Sequence, residues 1–499
     1  MKPFNHFIYR YWDALLAASV VFIWILLYAR HGGIGISPDS VAYLSTADNI
    51  VHRFSFTDYN ELPFIQFPLG YPIFLALVQL ISPNNLIQTA PVLNGLLYAG
   101  LLFMSSYIFR QMRSYHPAAK LLLLFFLATS SALLEVYSML WSETLFLFLV
   151  LLFFIVFLRY LCTLQYRDLF IAAIIAAMVF VVRYAGITTI ITGSLLILFN
   201  AQLHGKKKLQ HLLVFGIPGI SLASWNLIRN HWVSGTFTGV RQKATRTLTE
   251  NLDRVGEVLR YWFPLPESVP VWTLVAGALI LLIALSYVLY TLLQQQYFTG
   301  TEHIVALFVL IYAAFMLTIS SVSRFESLSS RLLAPAYIPI LLLLATGSVY
   351  LIQRKHLLVK TMALILVLGT YGYAQQHHYA NNSYTWEGVS YAGIPGYTED
   401  QWKKSALIAY MKNKEGEFTG TTIFSNSNDA LFFLSGIRAF PLPHKDLPEE
   451  IRGFRQTKSF YLIWFFYGEN PDLIGLEYIQ QHYPIKASWQ FKDGIIFSF

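Results

Sequence analysis

Four ionisable residues stand where an apolar chain has least room for them. Asp39 follows Ile36-Ser37-Pro38 and precedes Ser40-Val41-Ala42-Tyr43-Leu44. Glu143 lies in Leu140-Trp141-Ser142-Glu143-Thr144-Leu145, Arg183 in Val182-Arg183-Tyr184-Ala185-Gly186, and Arg331 in Ser329-Ser330-Arg331-Leu332-Leu333-Ala334-Pro335. A charge at the centre of a spanning helix costs about 2.5–3.5 kcal/mol on insertion scales, so each is a candidate functional group. Glu135, at the end of the run before Glu143, is a further acid. A carboxylate can take a proton from an attacking group. A guanidinium matches the oxygens of a phosphate in bidentate fashion. Each residue also has a plainer explanation. Asp39 suits a helix N-cap, and Glu143 suits the first turn of a helix behind a Ser142 cap. Arg183 marks a hairpin between two apolar runs, and Arg331 has the place of a snorkelling side chain.

The elements that must position these groups are membrane helices. Of 499 residues, 56% are hydrophobic and 12% charged, about half the charge of a soluble domain, and the mean hydropathy is +0.51. A ruler of about 20 residues per span places runs near 12–30, 91–109, 118–134, 143–161, 168–182, 184–200, 211–229, 271–292, 304–320, 335–351 and 357–375. The stretch 71–81 is short and bounded by Pro72 and Pro83, which predicts an interfacial or re-entrant helix. With about 11 spans and a cytoplasmic N-terminus, the Lys206-Lys207-Lys208 cluster falls inside, as does most of the other loop charge. The net charge of +8 is therefore read as membrane orientation, not as a nucleic-acid footprint. All four charged candidates, with Glu135, come out on the outer face.

Two outer loops, 31–70 and 230–270, interrupt the transmembrane domain assigned to 1–375. In the second, the spacing of Val255, Leu259 and Trp262 predicts a helix lying on the membrane surface, with anionic headgroups as its partner. Beyond residue 376 the apolar runs shorten and strand-like and helix-like stretches alternate, giving a soluble α/β domain over 376–499 on the extracytoplasmic side. Its predicted elements are helices over Trp402–Met411 and Asp429–Leu434, strands over Thr421–Ser425 and Phe460–Phe466, and a terminal hairpin turning at Lys492-Asp493-Gly494. Cys162 has no partner cysteine, so disulfides and cysteine metal sites are excluded. No phosphate-binding loop, dinucleotide fingerprint or nucleophile elbow is present. His377-His378 fits an interfacial aromatic belt better than a metal site.

Taken in order, these motifs resemble the GT-C superfamily of polyprenyl-phosphate-dependent glycosyltransferases. The likeness is to the bacterial branch related to the aminoarabinose transferase of lipid A and to protein O-mannosyltransferases. The segments that carry it are Ser37-Pro38-Asp39-Ser40 with Tyr43-Leu44, then Phe67-Pro68-Leu69-Gly70-Tyr71-Pro72, then Trp141-Ser142-Glu143 and Arg183-Tyr184-Ala185-Gly186. Trp225-Asn226-Leu227-Ile228-Arg229-Asn230 and Arg331-Leu332-Leu333-Ala334-Pro335 complete the set. The resemblance implies that Asp39 is the catalytic base and Glu143 the second acid, with Glu135 as its alternative. It implies that Arg183 and Arg331 hold a lipid-linked phosphate, with Tyr71 in the substrate-binding set. The expected activity is inverting transfer of a sugar from a polyprenyl-phosphate donor to a lipid, glycan or protein acceptor at the outer face of a bacterial inner membrane. No cofactor is required by the motifs; metal use differs across the superfamily, so a divalent cation stays open. A transporter or flippase of lipid-linked glycans and a non-catalytic envelope assembly protein are the competing readings.

Overall fold

The computed structural model describes residues 2–82, 85–263, 300–324, 326–354, 356–418, 420–467 and 470–499. The helices of the membrane region are α1 (Lys2–Tyr28), α2 (Pro38–Arg53), α3 (Gly70–Ile81), α4 (Leu86–Arg110), α5 (Pro117–Ala128), α6 (Ser131–Tyr137), α7 (Glu143–Thr163), α8 (Tyr166–Val182), α9 (Ile187–Phe199), α10 (Gly205–Ser234), α11 (Leu248–Trp262), α12 (Thr301–Val322), α13 (Ser330–Ile352) and α14 (Leu357–Ala392). Seven described helices are long and apolar enough to cross a membrane, or eight if the α5–α6 pair, bent by 51°, is one span. The protein is thus an integral membrane protein. The run expected at 271–292 lies outside the described residues. Helix α3, at 12 residues, is too short to span as an ordinary helix, as its bounding prolines predict.

Several local features depart from the sequence reading. Asp39 is not the N-cap of α2. Ser37 is, and its backbone N–H donates to Ser40 Oγ at 3.1 Å while Pro38 opens the first turn. Ser142 flanks α7 with helical dihedrals and makes no capping bond. Cys162 sits within the last turn of α7. His378 is 1% exposed, packs edge-on against Phe126 and faces Ser131 Oγ at 3.3 Å, so it belongs to a buried cluster instead of an aromatic belt. The boundary expected at 375/376 falls inside α14, which continues to Ala392.

The chain divides into two compact units. One comprises Met1–Tyr28, Ile65–Tyr71 and Thr89–Glu387, and the other Ala29–Phe64, Pro72–Gln88 and Gly388–Phe499. In the first, α8 packs between α7 and α10, and α12 packs against α13, so apolar faces too wide for one neighbour are covered on more than one side. The amphipathic stretch in the second loop forms α11. Its Thr247–Glu250 capping box fixes the start, and Val258, Leu259 and Trp262 are its buried face.

In the second unit a five-stranded sheet has the order β2-β1-β3-β5-β4. The strands are β1 (Ile423–Ser425), β2 (Phe440–Pro441), β3 (Tyr461–Phe465), β4 (Ala487–Gln490) and β5 (Gly494–Ser498). β1 runs parallel to β2 and β3, and β5 runs antiparallel to β3 and β4, so the terminal hairpin forms as its Asp-Gly turn predicts. Helices α15 (Asp400–Lys403), α16 (Ala406–Asn413), α17 (Glu415–Phe418), α18 (Asn428–Ser435), α19 (Pro448–Arg455) and α20 (Leu476–His482) accompany the sheet. The single helix expected over Trp402–Met411 is two, because the Ser405 side chain accepts from Ile408 N and starts a new one. Helix α18 ends at Gly436 in the left-handed region.

The first outer-loop sequence is built into this unit. Tyr397 N donates to Ile36 O at 2.8 Å, Thr398 Oγ1 to Ile34 O at 2.8 Å, and Lys403 Nζ to Gly32 O at 2.7 Å. Gly396 makes that approach feasible. Its φ is +125°, and a Cβ there would lie 2.4 Å from Ile36 O. Gly396→Ala is expected to destabilise the protein by about 2 kcal/mol or more, from backbone strain and the clash together. Thermal unfolding in detergent checks this, with Gly388→Ala as the control because a Cβ at Gly388 meets nothing within 4 Å.

Candidate active site

Glu143 opens α7 and is 1% exposed. A carboxylate there needs charged partners, since several kcal/mol separate an isolated buried ion from a paired one. It has two. Arg183 Nη1 donates to Glu143 Oε2 at 2.7 Å, and Arg331 Nε donates to Glu143 Oε1. Arg183 also donates to Ser142 Oγ at 2.9 Å, so the residue expected to cap α7 takes part in the site. The Arg331 guanidinium lies over the Trp141 ring, 4.1 Å from its centroid, a cation–π contact that holds the flat group in place.

Each member is held by its own framework. Arg183 terminates α8 with extended dihedrals, and the following Tyr184–Gly186 turn reverses the chain into α9. Gly186 passes so close that a Cβ would lie 2.5 Å from Val179 O. The loop carrying Trp141 and Ser142 is fixed by Asn94, whose Nδ2 donates to Tyr137 O at 2.9 Å and Met139 O at 2.8 Å. Tyr137 in turn stacks on Tyr98 and donates to Thr144 O at 3.2 Å. On the other side, Trp262 Nε1 donates to Ser330 Oγ at 2.9 Å and the Tyr312 hydroxyl to Leu332 O at 2.7 Å, which pins the backbone on both sides of Arg331.

Tyr71 is fully buried at the start of α3, with its hydroxyl toward Thr144 and within reach of the Glu143 charge. Gly70 lets it sit there, since a Cβ on Gly70 would lie 2.5 Å from Val181 O. The segment before it is tied down by Leu69 N donating to Asn226 Oδ1 at 3.2 Å and the Tyr184 hydroxyl to Ile65 O at 3.3 Å. Glu135 is exposed on α6 and lies near enough to Arg331 to feel its charge, while Glu143 is the acid that binds both arginines. The structure therefore brings together Glu143, Arg183, Arg331 and Tyr71, with Glu135 at their edge. Ser142, Trp141 and Tyr312 complete the surroundings.

Asp39 belongs to the second unit. It is half-buried in the first turn of α2, where an anion is favoured by the helix dipole. Beside it are the Tyr397 and Asp429 side chains, both of which feel its negative charge. Asp429, which sequence reading did not select, is pushed up to about 6, chiefly by burial and further by Asp39, against a hydrogen bond from Tyr59. Among the described residues no group of three or more His, Cys, Asp or Glu is placed to hold a metal ion.

The Glu143 cluster has a stability signature. Glu143→Met leaves two buried guanidinium groups facing each other and is expected to cost about 3–5 kcal/mol. Arg183→Met should cost far less in that background than in the wild type, read as thermal unfolding in detergent. Equal costs in both backgrounds would show that the groups are not coupled.

No family model and no curated protein matches the sequence. Solved structures do. ArnT from Cupriavidus metallidurans, bound to undecaprenyl phosphate, is 11% identical with a TM-score of 0.53, and 97% of each chain is covered. The apo state of the same protein gives 12% identity and a TM-score of 0.54. The archaeal oligosaccharyltransferase AglB from Archaeoglobus fulgidus, in complex with an inhibitory peptide and a dolichol phosphate, is 14% identical with a TM-score of 0.52, over 92% of this chain and 70% of that one. Over nearly its whole length the chain has the fold of these ArnT and AglB structures.

Proposed function

We propose that the protein is a membrane glycosyltransferase that moves a sugar from a polyprenyl phosphate to an acceptor at the outer face of a bacterial inner membrane. The observation that carries this reading is the buried group of Glu143, Arg183 and Arg331, in which two guanidiniums share one carboxylate. Guanidiniums match the oxygens of a phosphate in bidentate fashion, which suits a phosphate that stays at the membrane boundary while its lipid remains in the bilayer. Undecaprenyl phosphate in the ArnT structure and dolichol phosphate in the AglB structure are ligands of that chemistry.

In the proposed mechanism Asp39 takes the proton of an acceptor hydroxyl or amine as that group attacks the anomeric carbon. The bond from that carbon to the phosphate oxygen breaks, and the departing phosphate keeps the electron pair. Arg183 and Arg331 stabilise its charge. A single displacement inverts the anomeric configuration. Glu143 acts on the arginines: it fixes their orientation and tempers the charge that would otherwise retain the product phosphate.

Asp39 being in the first turn without being the cap leaves the helix start satisfied by Ser37 and Ser40. Asp39→Asn is therefore expected to leave folding intact and to reduce transfer by about 100-fold or more. The assay offers undecaprenyl phosphate carrying a hexose, a pentose or an amino-pentose, supplies an envelope extract as acceptor source, and measures released undecaprenyl phosphate. Wild-type rates in the Asp39→Asn protein reject Asp39 as the base. Donor turnover by none of the three in the wild-type protein counts against the transferase reading and favours transport. Arg331→Lys is expected to raise the KM for the donor more than it lowers kcat, since an ammonium keeps the charge but loses the bidentate geometry.

A further inference from the structure

We propose that Tyr59, Asn428 and Asp429 form a positioning device by which the C-terminal α/β region holds Asp39, so that α18 is part of the catalytic apparatus. The inference rests on Asp39 being the base proposed above. Its foundation is geometric. Helix α18 packs on α2 within the second unit. The Tyr59 hydroxyl, at the end of the loop that leaves α2, donates to Asp429 Oδ1 at 2.7 Å and accepts from Asn428 Nδ2. The Tyr59 ring, 6% exposed, stacks on Phe432 one turn further along α18, with centroids 4.5 Å apart. Next to it, Asn60 Nδ2 donates to Ala439 O at 3.1 Å.

The loop is in turn locked to α2. Asn49 Nδ2 donates to Thr57 O and Asp58 O, both at 3.0 Å, and Asp58 Oδ1 accepts from Asn60 N and Leu62 N. A displacement of α18 is thus transmitted through Tyr59 to the 57–62 loop and through Asn49 to α2. The other end of α2 is held by the bonds from Tyr397 and Thr398 to the chain just before it. Asp39 lies between these two attachments.

The titratable groups facing this device are Asp39 on α2, Asp58 in the following loop, Asp429 on α18 and Tyr397 from the 393–399 turn; Arg438, beyond α18, acts on Asp58. Burial also pushes Asp58 up. The sign of the pH effect follows from Asp429. Its folded pKa, about 6, lies above the ordinary carboxylate value, so the folded state retains a proton that the unfolded chain has lost. Its contribution to docking is present in acid and is lost as pH rises through about 6. Above that pH the ionised Asp429 stands beside Asp39 as a like charge.

The test is amide hydrogen exchange over residues 36–44 of the full-length protein in detergent, corrected for the intrinsic pH dependence, together with donor turnover. Wild type, Tyr59→Phe and Asp429→Asn are compared at pH 5 and pH 7.5. Tyr59→Phe removes one hydroxyl and is expected to speed exchange at both pH values and to lower kcat about 10-fold with little change in donor KM. Asp429→Asn keeps an acceptor for Tyr59 and removes the charge; its exchange should match the wild type at pH 5, be slower than the wild type at pH 7.5, and lose the pH dependence. Identical exchange in all three proteins overturns the proposal. So does faster exchange in Tyr59→Phe with unchanged kcat, because the contact is then structural only. Full turnover in Asp39→Asn defeats the reading of Asp39 as base, and the role of the device in catalysis with it, while leaving the exchange differences as the mark of a structural latch.

Discussion

A carboxylate with almost no access to water, bound by two guanidinium groups, is the constraint on which the first unit is organised. Glu143 is 1% exposed, and Arg183 and Arg331 are 16% and 11% exposed, so none of the three can exchange its partners for solvent at small cost. The pairing draws the start of α7, the end of α8 and the first turn of α13 to one point. Features elsewhere read as provisions for that meeting: Gly70 and Gly186 allow the backbone to pass close to α8, Asn94 secures the loop before α7, and Trp262 and Tyr312 fix the backbone at Arg331. Two guanidiniums converge on one buried carboxylate, with Glu135 close enough to act on Arg331, and the planar donor forks they present match the oxygens of an anionic ligand.

The second unit meets a different demand. Of its acids, Asp39 and Asp58 lie near enough to Asp429 to act on it together, and Tyr59 and Asn428 manage the closest contacts there with directed hydrogen bonds. Burial and neighbouring like charge raise the proton affinity of Asp429, and burial that of Asp58.

Much of the first unit is legible in sequence because charges stand out against apolar runs. Arg183 and Arg331 could be selected from their neighbours alone, and the short reach between bounding prolines marked α3. Glu143 was also visible, but its role was not: nothing local says that a first-turn acid will meet arginines 40 and 188 positions away. Ser142 was read as a cap because serine before an acid at a helix start is the ordinary capping pattern, and that pattern carries no information about a guanidinium arriving from another helix. Asp429 and Tyr59 were not selected, since each is an unremarkable polar residue in its own stretch and they acquire significance only from contact across the fold. Composition turns polar at 376, whereas hydrogen bonding carries α14 on to Ala392. Composition reports the solvent around a helix, not where the helix stops.

The division of the chain into units whose segments are interleaved has a consequence for how the protein is made. The carbonyls of Gly32, Ile34 and Ile36 are synthesised early, but the residues that satisfy them, Tyr397, Thr398 and Lys403, are made about 360 positions later. At a translation rate of roughly 5–20 residues per second, the first loop waits tens of seconds for its partners. Throughout that interval it must remain unattached beside a membrane already filling with helices. The last quarter of the chain thus serves as a completion step, and a ribosome that stops short of it leaves the Gly32, Ile34 and Ile36 carbonyls without their partners.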